Sequence, residues 1–151
     1  MRKFGWVIGL CGAIILLSSW LFIGPSEAAK WPSAGSTFCW ENEEGGVLIL
    51  VATDMGSQHF LINGRYTSIE GKVEALIGSA EMNAGNVHMT LVSAGTDDTD
   101  TFAYINRIVL SLPTLSGTYE GFGFCHEIDS PDPDNIGMDH GTGELFPITC
   151  K

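Results

Sequence analysis

The sequence contains few basic residues. The 151-residue chain has 7 Lys and Arg against 18 Asp and Glu, and its formal net charge is −11 at pH 7. Proteins that bind nucleic acids need clustered Lys and Arg to contact the phosphates. The shortage of these residues excludes nucleic acid as a partner, and the negative charge is typical of a small protein that must stay soluble.

The sequence also lacks the motifs of common hydrolases. It contains neither Gly-x-Ser-x-Gly nor His-Glu-x-x-His, which supply a serine nucleophile and a zinc site, respectively. Paired carboxylates are present, but a chain this acidic contains them everywhere. An enzyme is therefore the third hypothesis of function, after a binding module for small molecules and a protein-binding module.

One long apolar run lies near the N-terminus, from Val7 to Ile23, and Ser26-Glu27-Ala28 follows it as a small-x-small cleavage site. We predict a signal peptide over residues 1–28 and a single domain over residues 29–151, in the periplasm or outside the cell. The membrane is then involved only through the signal peptide before its cleavage. The alternative is an uncleaved anchor, for which the run is short. N-terminal sequencing of the exported protein distinguishes the two.

Three cysteines remain after this cleavage, namely Cys39, Cys125 and Cys150. Compartments outside the cytoplasm permit disulfides. We therefore predict one disulfide and one thiol, and the sequence does not choose among the three pairings.

The rest of the chain consists of short apolar runs separated by turn residues, and no helical period is present. This pattern is typical of an all-β protein. The runs that we interpret as strands are STFCWEN, GVLILVATD, QHFLINGRYT, KVEALIGSAEM, NVHMTLVS, TFAYINRIVLSL, SGTYEGFGFCHE and TGELFPITC. Most alternate apolar and polar residues, whereas GVLILVAT does not, which predicts a strand covered on both faces.

Eight consecutive strands with short connections predict a small antiparallel up-and-down β-barrel, because closure removes exposed sheet edges. The alternative is a two-sheet β-sandwich. In strand number and order the chain resembles the calycin architecture of lipocalins and avidins. The lipocalin Gly-x-Trp signature is absent, because Phe38 stands two places before Trp40.

Glycines recur inside three of the predicted strands, in LINGRY, LIGSAE and LSGTYE. We interpret Gly64, Gly78 and Gly117 as positions where a barrel strand bends sharply. A competing interpretation makes Asn63-Gly64 a two-residue hairpin turn, which would add a ninth strand.

Residues 124–143, FCHEIDSPDPDNIGMDHGTG, are rich in residues that bind metals. Asp132 and Asp134 begin a calcium-type spacing that lacks its fifth and twelfth ligands. Cys125-His126 and Asp139-His140 would form a zinc site if a hairpin brought them together. The candidate metal ligands are Asp132, Asp134, Asp139, His126 and His140. We favour a solvated loop and expect no cofactor. The alternative is a bound metal ion, either calcium or zinc.

An eight-stranded barrel is wide enough to hold one small ligand or to be filled by its own side chains. Five aromatic residues could line a pocket or form a packed core: Phe60, Tyr66, Tyr104, Tyr119 and Phe122. The first hypothesis of function is a binding module for a small apolar or amphipathic molecule. The alternative is a protein-binding module, such as an inhibitor or an envelope-stress factor, that acts through its loops.

Overall fold

The computed structural model describes residue 31 and residues 35–96, 100–128 and 136–150. Its strands are β1 (Thr37–Asn42), β2 (Val47–Gly56), β3 (His59–Thr67), β4 (Val73–Asn83), β5 (Asn86–Thr96), β6 (Asp100–Ser111), β7 (Gly117–Glu127) and β8 (Ile136–Ile148). They form a closed antiparallel barrel in chain order, in which β8 also pairs with β1. The predicted all-β barrel is confirmed, and the two-sheet sandwich is wrong.

The last strand begins earlier than the sequence indicates. We predicted it from Thr142, but β8 begins at Ile136 and pairs with β7 from Ile136 opposite His126 onward. Gly and Asp, which recur in this segment, have little intrinsic preference for strands. Pairing with β7 overrides that preference, and the acidic loop is correspondingly shorter. Residues 129–135 lie outside the described residues, as does the predicted signal peptide.

The interpretation of β2 as a strand covered on both faces is wrong. Leu48, Leu50 and Ala52 are buried inside the barrel, whereas Val51 points outward and is 37% exposed. A closed barrel has a single wall, so among the described residues no second layer covers the outer side chains of this apolar strand. Within the described residues there is also no helix long and apolar enough to cross a membrane.

The three strand glycines allow close approach of neighbouring backbones. Asn63 and Gly64 lie inside the continuous strand β3, so the hairpin that would add a ninth strand is wrong. A Cβ atom would lie 2.1 Å from a backbone carbonyl oxygen at Gly64, and 1.9 Å from one at Gly78 and at Gly117. Close approach of a neighbouring backbone therefore explains glycine at these positions, and the sharp bends stay a prediction.

We expect Gly78→Ala to lower the free energy of unfolding by about 2–3 kcal/mol, because the added methyl group must displace the backbone of β5. Gly141→Ala is the matched control, since a Cβ atom there meets no atom within 4 Å. Urea unfolding of the two variants measures the difference. Equal midpoints for the two variants would contradict the expectation.

Apolar side chains fill one end of the barrel. Trp31 precedes β1 and packs there against Phe38 and Phe60, with ring centroids 4.8 and 6.0 Å away. The Trp40 indole Nε1 donates a hydrogen bond of 2.7 Å to the carbonyl oxygen of Leu115, which lies in the connection between β6 and β7. This end, the closed end, is therefore a packed core.

A disulfide joins Cys39 in β1 to Cys150 just after β8, and Cys125 is a reduced cysteine. The prediction of one disulfide among the three cysteines is therefore confirmed. The disulfide lies at the seam where the first and last strands pair, with Cys39 opposite Ile148.

Candidate ligand site in the barrel lumen

The other end of the barrel, the open end, contains a cavity of about 280 Å³. Strand direction places the turns after β1 and β3 at this end. The cavity is lined by Asn42, Glu44, Leu48, Tyr66, Glu74, Leu76, Leu91, Tyr104, Asn106, Ile108, Tyr119, Gly121, Asp139, Gly141 and Leu145.

Polar residues lie nearer the mouth of the cavity and apolar residues lie deeper. Going inward along β4, Glu74 is followed on the same face by Leu76, and along β8 Asp139 is followed by Leu145. Such a gradient suits a molecule with one polar and one apolar end.

Tyrosine side chains form part of the wall. The chain has three tyrosines, and all three line the cavity. Tyr104 covers Gly123 on the adjacent strand, where a Cβ atom would lie 2.2 Å from the Tyr104 Cδ1 atom. Tyr119 covers Gly143 in the same way, at 2.6 Å from its Cε1 atom. Because these glycines have no side chain, the rings lie along the wall and leave the lumen open.

Hydrogen bonds orient the polar side chains of the site. The Asn42 Oδ1 atom accepts a bond of 2.6 Å from the Gly46 amide, and the Asn42 amide group donates one of 3.3 Å to the Tyr66 hydroxyl. The buried Ser93 hydroxyl donates a bond of 3.1 Å to Glu74 Oε2. The turn after β1 and the neighbouring strands therefore hold the polar groups of the mouth in place.

Two of the phenol groups resist ionisation. Burial is the main cause that raises the pKa of Tyr66 above its ordinary value of 10.0; the charges of Glu44 and Glu74 raise it further, and the hydrogen bond from Asn42 opposes them. Burial is also the main cause that raises the pKa of Tyr104. The charge of Asp139, which accepts a hydrogen bond from the Tyr104 hydroxyl, raises this pKa further.

We expect these shifts to make the fold sensitive to alkali. Well below pH 10 both phenols are neutral in the folded and in the unfolded chain, so the free energy of unfolding keeps the full contribution of the two neutral side chains. As pH rises above 10 the unfolded chain ionises first, and the free energy of unfolding falls as pH rises through the folded pKa values. Absorbance titration near 295 nm should show late-ionising phenols in the folded protein.

Tyr66→Phe and Tyr104→Phe should each remove one late component from this titration, and the urea-unfolded protein should lack such components. Identical titration curves for the folded and unfolded wild-type protein would contradict the expectation.

The structure brings three of the five predicted aromatic residues together and separates the other two. Tyr66, Tyr104 and Tyr119 line the cavity. Phe60 is buried in the core at the closed end. Phe122 is 43% exposed on the outer face, because the inward positions of its strand are occupied by glycines on both sides of it.

The three candidate metal ligands that the structure describes, Asp139, His126 and His140, are not brought into one group. Asp139 lines the lumen, whereas His140 is exposed, stacks on Phe122 at 4.5 Å and lies 3.4 Å from Glu120. His126 is opposite Ile136, four positions along β8 from His140. Asp132 and Asp134 lie outside the described residues. Within the described part of the chain, no three His, Cys, Asp or Glu side chains could hold a metal ion.

Sequence reasoning missed several polar residues of the site. Asn106 shares the inner face of β6 with Tyr104 and Ile108, and Glu74 shares the inner face of β4 with Leu76. The available signal was a polar residue at an otherwise apolar position of an alternating strand. Such a residue is either paired inside the core or exposed to a cavity.

No known family model and no curated protein matches this sequence. Similar solved structures include the rhizavidin–biotin complex, with a TM-score of 0.53 and 9% identity over 80% of this chain and 98% of that one. Another is apo shwanavidin, with a TM-score of 0.45 and 11% identity over 80% and 99%. The predicted calycin architecture is thus confirmed, and the chain has the fold of the avidin-like barrels.

Proposed function

We propose that this protein is an exported binding module whose lumen holds one small amphipathic molecule. The observation that carries the proposal is the open-end cavity of about 280 Å³, whose lining combines deep apolar residues with polar groups near the mouth. Pockets for drug-sized ligands span roughly 300–1,000 Å³, so the ligand of this lumen is small.

Two further observations support the proposal. The Cys39–Cys150 disulfide suits an oxidising compartment outside the cytoplasm, as does the signal-peptide pattern of residues 1–28. The rhizavidin structure contains biotin, so a protein with this fold serves as a small-molecule binder.

Native mass spectrometry of the protein purified from its own host tests the proposal. We expect the wild-type protein to carry added mass from a bound small molecule. Gly141→Leu should lose it, because Gly141 lines the cavity and a side chain there enters open space. Thr142→Leu places the same side chain on the outer face, and this variant should still carry the added mass. Added mass that persists in Gly141→Leu would show that the molecule binds elsewhere.

A second candidate function, protein recognition, is favoured by the outer face rather than by a described loop. Four apolar side chains there, each 42% to 56% exposed, are cross-strand neighbours in one row: Ile77, Val92, Ile105 and Phe122. Contiguous exposed apolar groups are typical of interaction surfaces. The occupant that we propose is a second copy of this chain, because the row is uncharged and a two-fold interface needs only one such surface.

Sedimentation velocity over a range of concentrations tests self-association. We expect a dimer that Ile105→Glu converts to a monomer, whereas Thr53→Glu, on the outer face of β2, should leave it intact. A wild-type protein that stays monomeric at about 100 μM would contradict this second candidate.

A further inference from the structure

The lining of the cavity is negatively charged. Glu44, Glu74 and Asp139 contribute carboxylates, and none of the described lining residues is Lys, Arg or His. Lys72, in the turn before β4 at the same end, does not line the cavity. Like charges in one site repel one another unless a cation offsets them. The lining residues that the structure describes do not supply this cation.

Two of these carboxylates are held at the wall by hydroxyl donors. Glu74 accepts a bond from the buried Ser93, and Asp139 accepts one from Tyr104. An ionised carboxylate has about four acceptor positions, so one bond fixes its orientation and leaves capacity for a ligand. Glu74 is half-buried, which limits the screening of its charge by water and salt.

The tyrosine rings add a second group that attracts cations. Tyr104 and Tyr119 cover Gly123 and Gly143 from the lumen side, so the free face of each ring borders the cavity. The face of an aromatic ring attracts an ammonium group, and the attraction is stronger where water is excluded. Deeper in the lumen, Leu76, Leu91 and Ile108 offer an apolar surface.

We infer that the ligand of the lumen is a small organic cation, with an ammonium group between the carboxylates and tyrosine rings near the mouth and an apolar part against the deeper leucine and isoleucine side chains. This inference rests on the proposed function that the lumen binds a small molecule, and it adds the charge and polarity of that molecule.

Three probes of similar shape and different charge test the inference on the full mature protein: phenethylamine, 2-phenylethanol and phenylacetate. The ring signals of 13C-labelled tyrosine in NMR titrations report binding, because all three tyrosines line the cavity. We expect phenethylamine to bind about tenfold more tightly than 2-phenylethanol, and phenylacetate to bind most weakly. Raising the salt concentration should weaken the binding of phenethylamine alone.

Glu74→Gln should raise the Kd of phenethylamine about threefold to tenfold and leave the Kd of 2-phenylethanol unchanged. Glu81→Gln is the matched control, because Glu81 lies on the outer face of the same strand and should change neither value. Equal or tighter binding of 2-phenylethanol or phenylacetate by the wild-type protein would overturn the cation inference while the proposed function stands. If no probe shifts the tyrosine signals, the cation inference is overturned, and the added mass in native mass spectrometry decides the proposed function separately.

Discussion

A double variant with Cys39→Ser and Cys150→Ser is expected to lose about 4 kcal/mol of unfolding free energy. The two cysteines are 111 residues apart, and the chain-entropy model assigns a loop of about 100 residues a stabilisation of about 4.7 kcal/mol. Urea unfolding of the variant and of the wild-type protein, each with its cysteines alkylated where reduced, measures the loss.

The location of the disulfide makes this loss large. The seam is the one strand pair of the described barrel whose partners are distant in sequence, and it is short, with Cys39–Asn42 opposite Leu145–Ile148. By comparison, the ladder between β5 and β6 is longer and includes all 11 residues of β5, Asn86–Thr96. Without the disulfide, β1 and β8 are joined by this short ladder and by the 2.7 Å hydrogen bond from the Glu144 amide to Glu43 Oε1 in the turn after β1.

Cys125→Ser is the control for the double variant, since it leaves the disulfide intact. We expect a change below about 1 kcal/mol for this single substitution. A wild-type midpoint that does not move when dithiothreitol reduces the disulfide would contradict the predicted contribution.

Trp40→Ala is expected to lower the free energy of unfolding by about 3–5 kcal/mol, because it removes a side chain that is 1% exposed from the packed closed end. The substitution also leaves the carbonyl oxygen of Leu115 without its indole donor. The connection between β6 and β7 thereby loses this hydrogen bond to β1.

Trp40→Phe separates the two contributions, because it keeps most of the apolar contact and removes the hydrogen bond. We expect it to cost about 1–3 kcal/mol, the usual cost of an unsatisfied buried group. Thermal and urea unfolding both measure the series. A Trp40→Phe variant as unstable as Trp40→Ala would show that the hydrogen bond, and not the volume, determines the effect.

Alternation along the strands predicted which face of the barrel most side chains occupy. In β6 the alternation groups Tyr104, Ile108 and Leu110 on one face and Arg107 on the other, and the structure turns the first face inward. It could not predict the height of a residue along the barrel. Phe60 and Tyr66 share one face of β3, yet Phe60 packs at the closed end and Tyr66 lines the cavity at the other.

The glycines of β7 explain why the aromatic set was only partly correct. In TYEGFGF, Phe122 was among the residues expected to line a pocket or to form a packed core. The structure instead turns Gly121 and Gly123 inward, since the lumen must accommodate Tyr104 from the neighbouring strand. That requirement depends on a residue some twenty positions away in sequence, and no local pattern within β7 contains it.

The up-and-down topology also determines when the disulfide can form during biogenesis. Every described strand pair except β1–β8 joins neighbours in the chain, so Cys39 and Cys150 meet only when the last strand docks onto the first. Along β8, Gly137 opposite Cys125 and Ile148 opposite Cys39 are separated by about 35 Å of extended chain. Once the ring has closed, Cys125 is therefore too far away to pair wrongly with Cys39, and oxidation of Cys39 and Cys150 seals a barrel that is already complete.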